Sequence, residues 1–216
     1  MQKIALIVAG GIGARMKTTI PKQFLLLKGT PVLMHTLKQF SHFEKIILVL
    51  PSTQFDYWHS LCDIYNFILN HTLVAGGETR FHSVKNGLKK VGPNSILAIH
   101  DGVRPLVSTS LINNLLSQAK EETGAIPVMP VKDSLRKIDE ENSTHIDRDN
   151  LYTVQTPQCF LSVDIKKAYT QEFSETFTDD AFVFERAGGR ITTILGEGRN
   201  LKITTKEDLK IAKILI

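Results

Sequence analysis

Hydrophobic and polar positions alternate along this chain in two regular ways. Short runs rich in Ile, Leu and Val occupy residues 4–9, 45–50, 73–75, 95–99, 125–131 and 190–195, and such runs are typical of buried strands in a parallel sheet. Between them, apolar residues recur at helical spacing. Strands alternating with helices predict an α/β protein with three layers, in which helices cover both faces of a Rossmann-like, mostly parallel sheet.

Capping residues predict where several helices begin and end. Thr30 as N-cap and Pro31 as first residue predict a helix to about residue 41. Ser108 predicts another, which Gly124 is expected to end. Further helices are expected over 83–91, from Ser162, from residues 178–180, and after Thr204, where Glu207 completes a capping box. The aromatic stripe of residues 55–65 is expected to pack in the core.

Residues 132–154 interrupt this alternation. Core-sized apolar side chains are few there, and the middle of the segment, residues 139–143, is a polar turn. We interpret the segment as an extended hairpin arm that packs on a second subunit of a homodimer, because an isolated hairpin buries little surface. The alternative is a solvated loop. The rest of residues 1–216 is expected to form a single domain.

Composition and charge narrow the classes of protein. The 216 residues are 42% hydrophobic and 22% charged, with a net charge of +4. This charge is mild and has no basic run behind it, so nucleic acid is not implied, whereas an anionic substrate would account for it. Cys62 and Cys159 stand alone and suggest neither zinc nor disulfides. The apolar start is too short for a signal peptide and no stretch suits a membrane span, so we expect a cytoplasmic protein.

The first strand leads into a stretch suited to phosphate. Gly10, Gly11 and Gly13 let backbone N–H groups converge on an anion, and the cations Arg15 and Lys22 follow. The alternative is a plain strand-to-helix turn. Two familiar motifs fail here, because both the dinucleotide fingerprint and the P-loop require glycine where this chain has methionine at position 16. The dinucleotide fingerprint also lacks its acid after the second strand.

Four further blocks place polar residues at the predicted ends of strands, where open α/β sheets bind ligands. They are G-G-E-T-R-F-H-S at 76–83, H-D-G-V-R-P at 100–105, D-R-D-N-L-Y-T-V-Q-T-P-Q at 147–158 and N-L-K-I-T at 200–204, with its lysine on a brief strand. Each has an ordinary alternative: a capped turn for the first, an Asp–Arg ion pair for the second, surface side chains for the third, and a solvated lysine for the fourth. Together they supply cations around one acid and no nucleophile, which suits direct nucleotidyl transfer.

The run A-G-G-I-G-A-R-M at 9–16, followed by P-K-Q-F at 21–24, resembles the nucleotidyltransferases that charge a sugar or polyol phosphate. With all four later blocks present in order, the whole chain resembles the 2-C-methyl-D-erythritol 4-phosphate cytidylyltransferases. The resemblance implies the nucleotide-diphospho-sugar transferase type of fold, transfer of CMP from CTP to methylerythritol phosphate in non-mevalonate isoprenoid synthesis, and Mg²⁺ as cofactor.

The resemblance also implies roles for individual residues. Arg15, Lys22 and Lys202 would be catalytic, and Asp101 would carry Mg²⁺. CTP would be bound by Ala9, Gly10, Gly11, Gly13, Arg15, Lys22, Gly77, Glu78, Ser83 and Asp101. The polyol phosphate would be bound by Arg104, Ser134, Arg148, Thr156 and Thr178, with Ser134 and Arg148 coming from the partner's arm. Glu78 and Ser134 stand where the family frequently has aspartate and threonine, which keeps the chemistry but changes the reach of the two side chains.

Three other readings compete with this one. Ribitol-5-phosphate cytidylyltransferases share the glycine loop, P-K-Q-F and Q-T-P-Q, and the arm base and N-L-K-I-T argue against them. The missing third glycine and the missing acid of the dinucleotide fingerprint argue against a nicotinamide-dependent oxidoreductase. A non-catalytic nucleotide-binding protein would have no need for Lys22, Asp101 and Lys202 together.

Overall fold

The computed structural model describes residues 1–10 and 20–216. Its strands are β1 (Gln2–Val8), β2 (Leu26–Leu27), β3 (Thr30–Pro31), β4 (Lys45–Leu50), β5 (Thr72–Ala75), β6 (Ser95–Asp101), β7 (Thr123–Pro130), β8 (Leu135–Ile138), β9 (Ser143–Ile146), β10 (Tyr152–Val154), β11 (Gln158–Leu161) and β12 (Arg190–Leu195). Its α-helices are α1 (Val32–Gln39), α2 (Phe55–Ile64), α3 (Arg80–Leu88), α4 (Thr109–Gln118), α5 (Ser162–Ala168), α6 (Asp180–Arg186) and α7 (Lys206–Leu215).

The main sheet has the order β5-β4-β1-β6-β11-β7, and β10 and β12 also pair with β7. The strands β5, β4, β1 and β6 are parallel neighbours, whereas β10 and β11 run antiparallel to their partners. The predicted α/β fold with a mostly parallel sheet is confirmed. The carboxyl ends of the four parallel strands therefore meet at one edge, the usual place for a ligand in such sheets.

Alternate residues of the buried strands pack into two cores, one on each face of the sheet. Ala5 and Ile7 face helices α1, α2 and α4, while Ile4 and Leu6 face α3, α5 and α6. Each strand is apolar on both faces because helices cover both. The aromatic stripe of α2 packs as expected, with Trp58 fully buried.

One expected helix end is wrong. Ser108 does cap α4, accepting a hydrogen bond from the Leu111 N–H at 3.0 Å, but the helix ends at Gln118. Gly124 lies in β7, where a Cβ would come within 2.3 Å of the Phe160 ring. Close packing of strand against ring, not a helix stop, therefore requires glycine at this position.

Three helix starts are displaced from their predicted positions. Thr30 pairs in the small sheet of β2 and β3, so it is not the N-cap of α1. The helix expected over 83–91 begins at Arg80 and is capped by Thr79. The last capping box is formed by Thr205 with Asp208, one residue after the expected pair.

The hairpin of β8 and β9 forms a two-stranded sheet of its own. Its side chains are mostly exposed, and Ile138 is 77% exposed. The end of the predicted arm, Tyr152–Val154, instead joins the main sheet as β10. A lone hairpin is marginally stable in water, which is why we expect the arm to pack on a second subunit. That contact stays a prediction.

Among the helices of the described chain, none combines the length and apolar character that a bilayer-spanning segment requires.

Candidate active site

The carboxyl ends of β1, β4 and β6 open into a cavity of about 560 Å³, which we call the nucleotide cavity. That volume lies in the range of small-molecule sites. Most of the described residues predicted to act on CTP line it: Ala9, Gly10, Lys22, Gly77, Glu78, Ser83, Asp101 and Lys202. Gly11, Gly13 and Arg15 lie outside the described residues.

One side of the nucleotide cavity is built from backbone held close to Ser83. The hydroxyl of this buried residue accepts a hydrogen bond from the Gly77 N–H at 3.1 Å. A Cβ on residue 77 would lie 2.5 Å from the Cβ of His82, so only glycine fits there. The result is a flat backbone surface beside a hydroxyl, which suits the approach of a planar base.

Gln23, in the P-K-Q-F block, fixes the opposite wall. Its side-chain amide donates to the Ala9 carbonyl at 3.1 Å and to the Gln54 side chain at 2.9 Å. Phe24 is buried beside it, with its ring stacked on Trp58 at 6.2 Å between centroids. These contacts attach the segment that carries Lys22 to the end of β1.

Asp101 ends β6 and faces three cations. Its Oδ2 lies 3.0 Å from Lys202 Nζ and 3.1 Å from Arg104 Nε, and its Oδ1 lies 3.8 Å from Arg80 Nε. Burial alone would raise the pKa of Asp101, but Lys202, Arg80 and Arg104 outweigh burial and hold that pKa well below its usual range. The carboxylate is therefore ionised at any physiological pH.

A second cavity of about 270 Å³ adjoins Asp101 from the other side, and we call it the polyol cavity. Three of the residues predicted to bind the polyol phosphate line it, namely Arg104, Thr156 and Thr178. Arg80, Asp101 and Lys202 line both cavities. The two spaces thus share a boundary made of one acid and two cations.

Two of the predicted polyol ligands also hold the protein together. Arg104 donates from Nε to Asp101 and from a terminal nitrogen to the Asn200 carbonyl at 2.8 Å, so the Asp–Arg ion pair considered from sequence is present. The Thr156 hydroxyl accepts from the Asp101 N–H at 3.0 Å. Both residues therefore fix the loop that carries Asp101.

His100 completes this arrangement from inside the core. Its Nε2 donates to the Arg104 carbonyl at 3.0 Å, so its Nδ1 accepts from the Thr156 hydroxyl, also at 3.0 Å. Burial lowers the pKa of His100 to about 4, so the ring is neutral near pH 7. This chain of hydrogen bonds gives each member one orientation.

Lys202 lies in an irregular segment. The brief strand expected around it from the sequence is therefore wrong. The segment is held by two neighbours: Asn200 donates to the Thr156 carbonyl at 2.8 Å, and the Ile203 N–H donates to the Val103 carbonyl at 2.9 Å. The lysine itself is 39% exposed. The contacts of Asn200 and Ile203, rather than pairing in a strand, therefore place Lys202 beside the cavities.

The arm residues are not part of either cavity as this chain forms them. Ser134 and Arg148 are exposed, and the Arg148 guanidinium donates to the Lys132 carbonyl at the base of the arm. Their predicted contact with the polyol phosphate requires a second subunit, and it stays a prediction.

Two charged residues of the site were missed from sequence. Arg80 lines both cavities, and its guanidinium is bound by Asp180 at 2.9 and 2.6 Å. The arginine of the G-G-E-T-R block was a visible signal for the first. Nothing in the spacing indicated that residue 180, which begins α6, would be its partner.

The metal-binding capacity of the site rests on one carboxylate. In the described part of the chain, no group of three or more His, Cys, Asp or Glu side chains is arranged to hold a metal ion. Asp101 is ionised and borders the nucleotide cavity, so it fits a cation that draws its other ligands from phosphates and water, as Mg²⁺ commonly does.

The sheet is mostly parallel and covered by helices on both faces, and two adjoining cavities at its carboxyl edge share Arg80, Asp101 and Lys202. This arrangement is typical of nucleotidyltransferases that join two phosphate-bearing substrates. Residues 3–216 match the family model for IspD, 2-C-methyl-D-erythritol 4-phosphate cytidylyltransferase. The chain belongs to this family.

Individual relatives agree with that membership over full length. The chain is 51% identical to the 2-C-methyl-D-erythritol 4-phosphate cytidylyltransferase of Azobacteroides pseudotrichonymphae, covering 100% of this chain and 99% of the relative. It is 47% identical to that of Porphyromonas gingivalis, covering 100% and 98%. The crystal structure of the Francisella tularensis enzyme superposes with a TM-score of 0.83 at 29% identity over 100% of both chains.

The chain is accordingly a cytidylyltransferase of the non-mevalonate isoprenoid route, which makes 4-diphosphocytidyl-2-C-methyl-D-erythritol from CTP and methylerythritol phosphate.

Proposed function

We propose that CMP transfer takes place at the boundary of the two cavities, with CTP in the nucleotide cavity and 2-C-methyl-D-erythritol 4-phosphate in the polyol cavity. The observation that supports this most directly is that Asp101 and Lys202 line both spaces. Any two phosphates that fill these cavities meet beside the same two side chains. Proximity of this kind removes much of the entropic barrier to a two-substrate reaction.

The nucleotide would be held at both ends. Gly77, Glu78 and Ser83 would contact cytosine, and Ala9, Gly10 and Lys22 would contact the triphosphate, together with Gly11, Gly13 and Arg15. Backbone N–H groups and fixed cations are the usual ligands of polyphosphates. The position of Ser83, hydrogen-bonded to Gly77 beside Gly10, links the base end to the phosphate end.

Asp101 would hold Mg²⁺ through a carboxylate oxygen. The bound metal would neutralise charge on the nucleotide phosphates. Asp101 Oδ2 lies 3.0 Å from Lys202 and 3.1 Å from Arg104, so Asp101 would have to loosen these contacts in order to hold the cation. Lys202, the more exposed of the two cations, is the one that can turn toward phosphate.

The reaction we propose is an in-line displacement. A phosphate oxygen of methylerythritol phosphate forms a bond to the α-phosphorus of CTP, and the bond from that phosphorus to the bridging oxygen of the β-phosphate breaks. Pyrophosphate leaves with the electron pair. The attacking phosphate is already ionised, so no general base is required, and Arg15, Lys22 and Lys202 would stabilise the charge of the transition state.

The second substrate would be held by residues of two subunits. Arg104, Thr156 and Thr178 line the polyol cavity, and Ser134 and Arg148 would reach it from the arm of a partner. The hairpin of β8 and β9 is a sheet separate from the main one, and its side chains are mostly exposed, which supports a role in assembly.

The experiment that tests this function is product identification by ³¹P NMR. The protein is incubated with CTP, Mg²⁺ and methylerythritol 4-phosphate, and ribitol 5-phosphate is supplied in a parallel tube. We expect a new diphosphate diester and pyrophosphate in the first tube alone. Product in the ribitol tube alone would replace the polyol assignment, and product in neither would overturn the function.

A further inference from the structure

Arg80 occupies a position that the proposed reaction does not yet use. Together with Asp101 and Lys202 it lines both the nucleotide cavity and the polyol cavity. Its side chain is 27% exposed. A cation at the point where two phosphates meet has a direct use in phosphoryl chemistry.

The guanidinium is held in one orientation from behind. Both terminal nitrogens donate to the carboxylate of Asp180, at 2.9 and 2.6 Å, and Asp180 is fully buried. The Tyr169 hydroxyl donates to the same carboxylate at 2.5 Å. Bidentate arginine–carboxylate geometry fixes direction as well as distance, so Arg80 is preorganised rather than mobile.

The support extends to a second layer of packing. The Tyr169 ring stacks on Phe81, the neighbour of Arg80, at 4.8 Å between centroids. Helix α3, which begins at Arg80, is thereby attached to the segment that follows α5. Tyr169 therefore supports Arg80 in two ways, through the Asp180 carboxylate and through the neighbouring Phe81 ring.

The charge of Arg80 is directed toward the reaction centre as well as toward its buried partner. Its Nε lies 3.8 Å from Asp101 Oδ1. A guanidinium carries five N–H donors, and among the described residues the Asp180 fork accounts for one on each terminal nitrogen. The remaining donors are not used by Asp180, and because Arg80 lines both cavities, a phosphate oxygen bound there can accept from them.

A purely structural arginine would not need this placement. A buried ion pair is often no more stable than an apolar pair of equal volume, and a pair that served packing alone could be closed off from the cavities. We propose, on the basis of the proposed function, that Arg80 binds the phosphate oxygens that meet at the boundary and stabilises the transferring phosphoryl group. Asp180 and Tyr169 are its positioning residues.

The test separates catalysis from folding with a charge-neutral pair of changes. Arg80→Met alone leaves Asp180 buried without a partner, so the informative variant is Arg80→Met with Asp180→Asn. We expect kcat to fall by about 10²–10³, as for loss of one oxyanion contact, while KM for CTP and the melting temperature change little. Lys89→Met, exposed at the end of the same helix, is the control and should match the wild type.

Recovery of kcat to within about threefold of wild type in the double variant would overturn the proposal, because Arg80 would then serve only to neutralise Asp180. Arg80→Lys covers the case in which the double variant does not fold. The single ammonium group of the lysine variant cannot bind the Asp180 carboxylate and a substrate phosphate at the same time in a fixed geometry. We therefore expect Arg80→Lys to lose at least tenfold in kcat. Unchanged turnover in this variant would equally overturn the proposal.

The positioning role has its own readout. Tyr169→Phe keeps the ring and removes the hydroxyl that holds Asp180, so kcat should fall several-fold in the wild-type background and not further in the double variant. Equal losses in both backgrounds would contradict positioning through Arg80. Wild-type protein assayed alongside separates the two ideas: an inert wild type refutes the proposed function, and an active wild type with equally active Arg80 variants refutes only this inference.

Discussion

Lys202 Nζ lies 3.0 Å from Asp101 Oδ2, although one residue ends a buried strand and the other lies in an irregular segment before the last helix. Asp101 is placed by β6 and by the Thr156 hydroxyl. Lys202 is placed by the contacts of Asn200 and Ile203 on either side of it. The pair stands where the two cavities meet, and it is the feature on which the proposed mechanism depends.

Ser83→Ala tests the base end of the nucleotide cavity. The change removes the acceptor of the Gly77 N–H, so the backbone that faces the base loses its fixed position. A lost hydrogen bond costs about 1 kcal/mol, so we expect KM for CTP to rise by about fivefold with kcat little changed. Steady-state kinetics with varied CTP measure this.

Ser60→Ala is the matched control, because Ser60 is exposed on α2 and its hydroxyl donates to the Asp56 carbonyl of the same helix. We expect wild-type kinetics from it. A normal KM for CTP in Ser83→Ala would remove this residue from base recognition.

His100→Asn tests the buried imidazole through the pH dependence of stability. The folded-state pKa is lowered to about 4, whereas the unfolded value is about 6.5. Between these values the unfolded chain binds more protons, so acid favours unfolding. The wild type should lose about 3 kcal/mol of unfolding free energy from this group as pH falls from about 6.5 to 4.

Urea unfolding at a series of pH values measures the effect. In His100→Asn this part of the pH dependence should be absent, although the variant starts from a lower stability at pH 7. His59→Asn, at an exposed position of α2, should follow the wild-type curve. A His100→Asn curve parallel to that of the wild type would show that the imidazole is not held neutral by burial.

Mixing two inactive variants tests the shared site. Arg148→Ala disables the arm and Lys202→Ala disables the body, so in a mixed dimer one of the two sites receives a normal arm and a normal body. Random assortment should restore about a quarter of wild-type activity. Lys137→Ala, exposed on the same hairpin, should be active by itself.

Sedimentation accompanies this experiment, since the arm interpretation requires a dimer at micromolar concentration. A clean monomer would refute the shared site, as would mixed dimers with no regained activity.

Sequence predicted the central strands well because they are apolar on both faces. The run at 45–50, for example, coincides with β4. Helix ends were harder to predict from the sequence, because tertiary packing determines them. Gly124 looks like a helix stop in the sequence, but it lies in a strand against the Phe160 ring. The adjacent threonines at 204 and 205 are equally good N-caps in the sequence, and only the position of Asp208 shows that Thr205 is the one used.

Sequence also identified most residues of the nucleotide cavity, since glycines, cations and an acid at strand ends carry visible chemistry. It missed the link between Arg80 and Asp180, because α3 and α6 are far apart in the chain and no spacing reports their contact. The roles of the individual site residues, the arm, the metal and the cytoplasmic location remain predictions.

The most direct test of the account is kcat of Lys202→Ala beside that of Lys206→Ala. Lys202 is 39% exposed, so its removal should leave the melting temperature nearly unchanged while kcat for pyrophosphate release falls by about 10²–10³. Lys206, exposed at the start of α7, should be replaceable without effect. Near-normal turnover of Lys202→Ala with CTP and methylerythritol 4-phosphate would contradict transfer at the boundary of the two cavities.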